Sequence, residues 1–320
     1  MVDLKLNTER SEESLGKYLC NMKIILEKAI RELEYTKYAS DEIVTATKSG
    51  KKFENGLAAK ESLIRSQNLI YHLHDFVKQE FQDYGVSSDR IFPPLNKNAP
   101  EKKVAGYFKQ KDQDVCVIPK FDKDKLEPKE INWGPLKNRG LVTEYGIENE
   151  DKILVTNIRS QMSSVGKNID TLFERMIAES YNLHYKFPNM IIGELYLIPV
   201  YEYSSEEMKS NKVSFNKNKI DIEKYIRFFF ELNKGDEEIV EGNLHKYNRA
   251  ALLVVDFNKE IPKIYTSTQE LIEDKIVKDD FDIELNTLSP LTFVYDLINM
   301  YLNRYPNYPI ISIVEGVNTR

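Results

Sequence analysis

Residues 157–168 read Asn-Ile-Arg-Ser-Gln-Met-Ser-Ser-Val-Gly-Lys-Asn, with one Arg, one Gln, one Lys, three Ser and two Asn in twelve positions. The run follows "DKILVT", which favours a strand. It leads into "IDTLFERMIAESYNLH", whose apolar residues recur with helical spacing. A segment of this make-up is either a solvated strand-to-helix connection, with Ser163 or Ser164 and Asn168 satisfying helix N–H groups, or a row of donors aimed at a ligand. A second polar feature lies upstream in "KQKDQDVCVIP" (109–119), where Asp114 stands at the mouth of an apolar strand behind several lysines. Metal-dependent phosphodiester hydrolysis needs oxygen ligands from two neighbouring strands. It also needs a cationic or hydrogen-bonding group beside them to stabilise the phosphorane charge. An Asp on one strand and the polar-x-cationic triplet Asn157-Ile158-Arg159 on the next have that layout.

The elements that must position these residues can be read from periodicity. "SEESLGKYLCNMKIILEKAIRELEY" places Leu15, Leu19, Met22, Leu26, Ala29 and Leu33 on one helical face, with Ser11 or Ser14 as cap. "ENGLAAKESLIRSQNLIYHLHDFVKQEFQDYG" predicts a second long helix closed by Gly85. His72 and His74 are two apart on it, point in different directions and do not form a ligand pair. The proline-rich "FPPLNKNAPEKK" (92–103) divides a helical N-terminal region, residues 1–95, from a mixed α/β region, residues 96–320. There the strands "KILVTNI" and "MIIGELYLIPV" are continuous apolar runs. Such runs suit a mixed central β-sheet with helices on both faces, an α/β (α+β) fold class. A capping-box pattern starts a helix at Ser267 and Glu270, and "LTFVYDLINMYLNRY" predicts a C-terminal helix.

The order Asp114 strand, Asn157-Ile-Arg159-Ser-Gln161, a Ser/Gly/Asn-rich loop, the helix "FERMIAES" and then "GELYLIPVYEY" resembles the core of bacterial type II restriction endonucleases with the PD-(D/E)xK fold. The resemblance spans roughly residues 104–265 and rests on a succession of short segments. It implies Mg²⁺-dependent, sequence-specific cleavage of double-stranded DNA by a homodimer, a restriction-endonuclease-like α/β domain, and a cognate methyltransferase in the same system. Asp114 would hold the metal, Asn157 would lend a carbonyl or orient water, Arg159 would stabilise the pentacovalent phosphate, and Gln161 would complete the catalytic strand. The loop would face the substrate, with Arg159 and Lys167 neutralising phosphates while Ser160, Ser163 and Ser164 donate to phosphate oxygens. Gln161 and Asn168 carry the amide edge that pairs with adenine. Lys109 and Lys111, with Lys212 and Lys217 in "KSNKVSFNKNK", would meet the DNA backbone. The chain departs from the family motif where an acid and a lysine are expected, since it has Asn157 and Arg159. Either the acid is relocated, with Glu144, Glu150, Asp151 or Glu179 as candidates, or the chain is a non-catalytic DNA-recognition or assembly subunit of a multi-protein restriction system. For Glu179 the plain alternative is an i,i+4 ion pair with Arg175 on a solvated face.

Composition limits the remaining classes. The 320 residues are 41% hydrophobic and 30% charged, with net charge −6, which suits a globular protein whose basic residues must cluster if it binds DNA. No apolar run approaches a membrane span, and the first residues carry no apolar h-region, so a cytoplasmic protein without signal peptide is expected. Cys20 and Cys116 lie far apart and outside any CxxC pattern, which argues against structural zinc and for a reducing compartment. There is no GxGxxG, P-loop, GxSxG or HExxH.

Overall fold

The structure, a computed structural model, describes residues 4–46, 50–97, 99–122, 126–163, 165–235 and 239–311, with Lys167 and Asn168 described by their backbone alone. Ser164 lies outside the described residues. Three helices come first: α1 (Thr8–Glu32), α2 (Gly56–Arg65) and α3 (Tyr71–Asp83). α1 buries the predicted stripe Leu15, Leu19, Met22, Leu26 and Ala29. Its cap is not Ser11 or Ser14 but Asn7, whose side chain accepts from Arg10 N at 3.0 Å. Ser11 is inside the helix and buried, donating to Glu80. The second predicted helix is two helices. The chain leaves α2 at Ser66 and turns through Gln67 at φ 62° before α3 begins, a left-handed step that helical spacing alone does not signal.

Six strands form the central sheet: β1 (Ile91–Phe92), β4 (Val115–Val117), β5 (Leu154–Ser160), β6 (Ile192–Pro199), β9 (Arg249–Asp256) and β10 (Lys263–Tyr265), in spatial order β10-β9-β6-β5-β4-β1. Of four two-stranded sheets beside it among the described residues, two matter here, β2 (Lys102–Ala105) with β3 (Gln110–Gln113), and β7 (Tyr201–Tyr203) with β8 (Phe215–Lys219). β5, β6 and β9 are parallel, whereas β1, β4 and β10 run against their neighbours. The crossover from β5 to β6 is the helix α4 (Val165–His184), and that from β7–β8 to β9 includes α5 (Ile222–Leu232). The short helix α6 (Thr268–Glu273) carries the expected capping box, and α7 (Phe293–Arg304) is the predicted C-terminal helix.

The apolar strands serve two cores at once. On β5 and β6, Leu154, Ile158, Leu195 and Leu197 face one core, built with α1, α3 and α7. Val155, Ile192, Tyr196 and Ile198 face the other, built with α4 and α5. Burial on both faces is what a continuous apolar strand requires, so the mixed sheet flanked by helices is as expected. The helical N-terminal region is one layer of this arrangement. Its residues Leu15 to Phe81 share a core with sheet residues Val115, Ile158 and Leu253, and Ile91–Phe92 is itself the sheet's edge strand. The boundary read at residue 95 therefore separates no cores. β1, β4 and β5 are antiparallel in turn and β6 is parallel to β5, with the β2–β3 hairpin inserted between β1 and β4 and short elements between β4 and β5.

Candidate active site at the β4–β5–β6 edge

Register brings the polar residues together. Val115 pairs with Thr156, so Asp114 sits one position beyond that pair, level with Asn157; its Oδ2 accepts from Ile158 N at 2.6 Å. On the other side Asn157 pairs with Glu194 and Arg159 with Tyr196. Side chains alternate across a strand and neighbours in register share a face. Asn157, Arg159 and Glu194 therefore all point toward α4. From α4 comes Glu179, whose Oε2 accepts from Arg159, and the same guanidinium donates to Glu194 Oε2. Lys111, on β3, donates to the other Glu179 oxygen.

Lys111 is placed there by the hairpin, and Asn182 fixes the hairpin. One turn beyond Glu179, the Asn182 side chain accepts from Phe108 N at 2.8 Å and Lys109 N at 3.1 Å, and donates to Lys109 O at 3.1 Å. The approach is so close that a Cβ on Gly106 would lie 2.1 Å from Asn182 Nδ2 and would displace that amide. Trp133 Nε1 donates to Gly106 O at 3.0 Å and closes the outer side.

The cluster is buried and charged. Glu194 is wholly inaccessible, Glu179 nearly so, and the Arg159 side chain is 19% exposed. Burial, together with the charges of Glu179 and Asp114, pushes the Glu194 carboxyl up to about 8, although Arg159 opposes the shift. Burial works against the Arg159 charge, but Glu194, Tyr247, Glu179 and Asp114 outweigh it and hold the guanidinium firmly protonated. Two polar atoms are left over: Glu194 Oε1 and Asn157 Nδ2 are buried without a hydrogen-bond partner. Buried ion pairs contribute little net stability and orphaned polar atoms subtract from it. The two together make this corner a candidate functional site.

The other residues singled out in the sequence fall elsewhere. Gln161 is not part of this cluster. It turns into the core between β6 and α5, where Oε1 accepts from Tyr196 at 2.6 Å and Tyr225 at 2.8 Å and Nε2 donates to Val165 O at 2.8 Å. Its Oε1 is engaged twice and its Nε2 once, and the residue is buried. Ser160 is half-buried at the end of β5, and half-buried Ser163 lines a small cavity with Lys60, Glu202 and Asn216. The predicted roles of Ser164, and of the Lys167 and Asn168 side chains, lie outside the described residues. Lys109 is exposed at the hairpin tip. Lys212 is exposed ahead of β8, and Lys217 on β8 lines a groove with the first turn of α4, away from the charge cluster. Of the relocated acids, only Glu179 reaches the site, and its partners are Arg159 and Lys111, not Arg175. Glu144 pairs with Lys102, Glu150 accepts from Ala105 N, and Asp151 accepts from Tyr305. Glu194 was missed by sequence reading. Its signal was there, a lone carboxylate inside the apolar run "MIIGELYLIPV".

The hard oxygens of Asp114, Glu179 and Glu194 are of the type Mg²⁺ takes. As they stand they do not fit it. The guanidinium of Arg159 occupies the space between two of them, and among the described residues no three His, Cys, Asp or Glu side chains converge as a metal site. The cluster offers a cationic fork, Arg159 with Lys111, at the rim of an acidic pocket, which suits binding and charge stabilisation of a phosphodiester. No helix among the described residues is long and apolar enough to cross a membrane. No protein-family model matches the chain, and neither a curated protein nor a solved structure matches it.

Proposed function

We propose that the chain is a restriction-endonuclease-like protein that acts on double-stranded DNA, with the Asp114–Arg159–Glu179–Glu194 cluster as its phosphodiester-hydrolysing centre. The observation that carries this reading is the convergence of Arg159, Glu179 and Glu194 between the central sheet and α4, with Asp114 level with Asn157 beside β5. Asp114 immediately precedes β4 and Arg159 lies on the adjacent β5, the order expected of the family the sequence resembles. Relocation of the acid is part of the proposal: with Asn157 where the family has its carboxylate, Glu194 supplies one at the same level of the next strand, and Glu179 another from the helix. Arg159 and Lys111 would hold the phosphate and spread its developing charge, the contribution expected of preorganised donors in a site of low water content. Cleavage of both strands of a symmetric site calls for a homodimer with a two-fold axis. A cognate methyltransferase and partner restriction subunits belong to the same proposal.

A second reading is favoured by the closed state of the cluster. With both glutamates engaged by Arg159, the chain would bind DNA without cutting it, as a recognition or assembly subunit. One experiment separates the two. Purified protein is incubated with unmethylated phage DNA and Mg²⁺, beside Asp114→Ala and Glu194→Gln variants. Discrete fragments that disappear in both variants support hydrolysis. Intact DNA with binding that weakens steeply with salt supports the subunit. No affinity for duplex at low salt sinks both.

A further inference from the structure

Where the β2–β3 hairpin crosses the last turns of α4, aromatic rings are left in water. Ile177, Tyr181 and Tyr185 follow each other at four-residue spacing and form one stripe along α4. Tyr185 is 47% exposed, and Phe108, from the hairpin tip, is 46% exposed beside it. Tyr181 stacks with both, its ring 6.2 Å from Phe108 at an interplanar angle of 26° and 5.5 Å from Tyr185 at 28°. Tyr107 meets Tyr185 edge-on at 4.6 Å. Single exposed apolar residues are ordinary, but a contiguous set of near-parallel rings on two elements marks a contact surface.

The charge around these rings is of one sign. Three segments meet here, residues 105–111, 133–143 and 180–190. Trp133 Nε1 donates to Gly106 O at 3.0 Å, Gln110 Nε2 donates to Val142 O at 2.9 Å, and Asn182 holds Phe108 and Lys109. In a chain of net charge −6, these segments contain Lys109, Lys111, Lys137, Arg139 and Lys186 and not one Asp or Glu. Lys111 is committed to Glu179 and Lys186 lies over the Trp133 ring at 4.2 Å. Lys109, Lys137 and Arg139 are exposed.

We propose that this surface is a stacking platform for single-stranded DNA. Unpaired bases lie on the Phe108, Tyr181 and Tyr185 rings, and the phosphates between them meet Lys109, Lys137 and Arg139. Exposed π-faces flanked by cations, with no acid among them, match a polymer that alternates flat bases with phosphates. A duplex does not match, because its bases stack on one another and present only their edges in the grooves. That the strand is DNA rests on the proposed function; that it is unpaired rests on the rings. The platform adjoins the charge cluster through shared elements. Lys111, two residues beyond Lys109 on the hairpin, reaches Glu179 on the helix that carries Tyr181 and Tyr185.

Fluorescence anisotropy of the full chain with labelled oligo-dT of about 15 nucleotides, beside a duplex of the same length, tests this. Wild type should bind oligo-dT, and Trp133, the one tryptophan of the chain, should report it as a change in emission. Phe108→Ala and Tyr185→Ala should each weaken oligo-dT binding at least about fivefold. Phe108→Trp should retain it, and duplex affinity should stay the same in all three. Lys137→Glu combined with Arg139→Glu should weaken oligo-dT binding and flatten its salt dependence. Circular dichroism confirms folding; should the alanine variants not fold, the charge-reversal pair carries the test. Unchanged oligo-dT affinity in folded Phe108→Ala and Tyr185→Ala overturns the platform. Duplex binding without any oligo-dT binding also overturns it and leaves the DNA reading standing, whereas binding of neither overturns both. Tighter binding of oligouridylate than of oligo-dT overturns the assignment to DNA. A dimer in sedimentation that dissociates in Phe108→Ala, with oligo-dT affinity unaffected, overturns the platform in favour of a second copy of the chain.

Discussion

Arg159 and Gln161 stand two residues apart in one motif and end in opposite kinds of surroundings. Gln161 lies in a neutral network where each amide function meets a hydroxyl or a carbonyl, so its burial is repaid in full. Arg159 lies in a charged network that leaves a carboxylate oxygen and a carboxamide nitrogen without partners. A satisfied buried polar group is a structural device, which locks the approach of α4 and α5 to the sheet. An incompletely satisfied one is the kind of feature that marks a site waiting for a ligand. The contrast shows that residue type within a motif does not assign a role, since the glutamine with the better base-reading edge is the one sealed in the core.

Substitutions can break this comparison in order of size. Arg159→Leu should have the largest effect, because it leaves two buried carboxylates uncompensated: about 3–5 kcal/mol lost in urea unfolding at neutral pH, together with any DNA affinity. A much smaller loss would mean that the cluster is solvated and not a buried ionic site. Gln161→Leu should cost about 2–3 kcal/mol, since the Tyr196 and Tyr225 hydroxyls lose their shared acceptor. At permissive temperature it should leave DNA binding unchanged, and lost binding in a folded protein would return Gln161 to the site. Gly106→Ala should cost roughly 1–3 kcal/mol through the clash with Asn182. If Asn182 positions Lys111, the variant should also weaken DNA binding, which a filter-binding salt titration would read.

A further contrast is a pH dependence expected of one network and not of the other. Glu194 has its pKa raised in the folded protein, from 4.5 to about 8, so the folded state holds its proton more tightly than the unfolded chain does. That contribution to stability is fully present below about pH 4.5 and is lost as pH rises through about 8. Thermal unfolding between pH 5 and pH 8 should show stability falling as pH rises, because the folded state holds this proton more tightly than the unfolded chain. Glu194→Gln should remove that decline, while Gln161→Leu should leave its slope intact. Identical slopes in wild type and Glu194→Gln would show that Glu194 does not titrate in this range.

Much of the frame was legible along the chain. The continuous apolar runs around Val155 and Leu195 require burial on both faces, which only a sheet between two helical layers supplies. The stripe of α1 and the Ser267–Glu270 capping box followed from local spacing and local hydrogen bonding. The break between α2 and α3 was not legible, because the apolar pattern runs on through Ser66–Ile70 and only the backbone reversal at Gln67 interrupts it. That the N-terminal helices share their core with the sheet was not legible for a related reason. Composition marks the proline-rich stretch, but whether the helices before it bury their apolar face against one another or against a sheet depends on residues more than a hundred positions away.

For the candidate site, the sequence by itself put Asp114 before one strand and Asn157 and Arg159 on the next, since chain order and periodicity are local properties. Tertiary structure alone decided what surrounds them. Strand register set Glu194 level with Asn157, helix packing brought in Glu179, and the Asn182-pinned hairpin delivered Lys111. It also sealed Gln161, on the same sheet face two residues beyond Arg159, against the Tyr196 and Tyr225 hydroxyls that β6 and α5 bring to it. Charge neutralisation and desolvation act through space between elements distant in the chain, and a linear pattern carries no record of them.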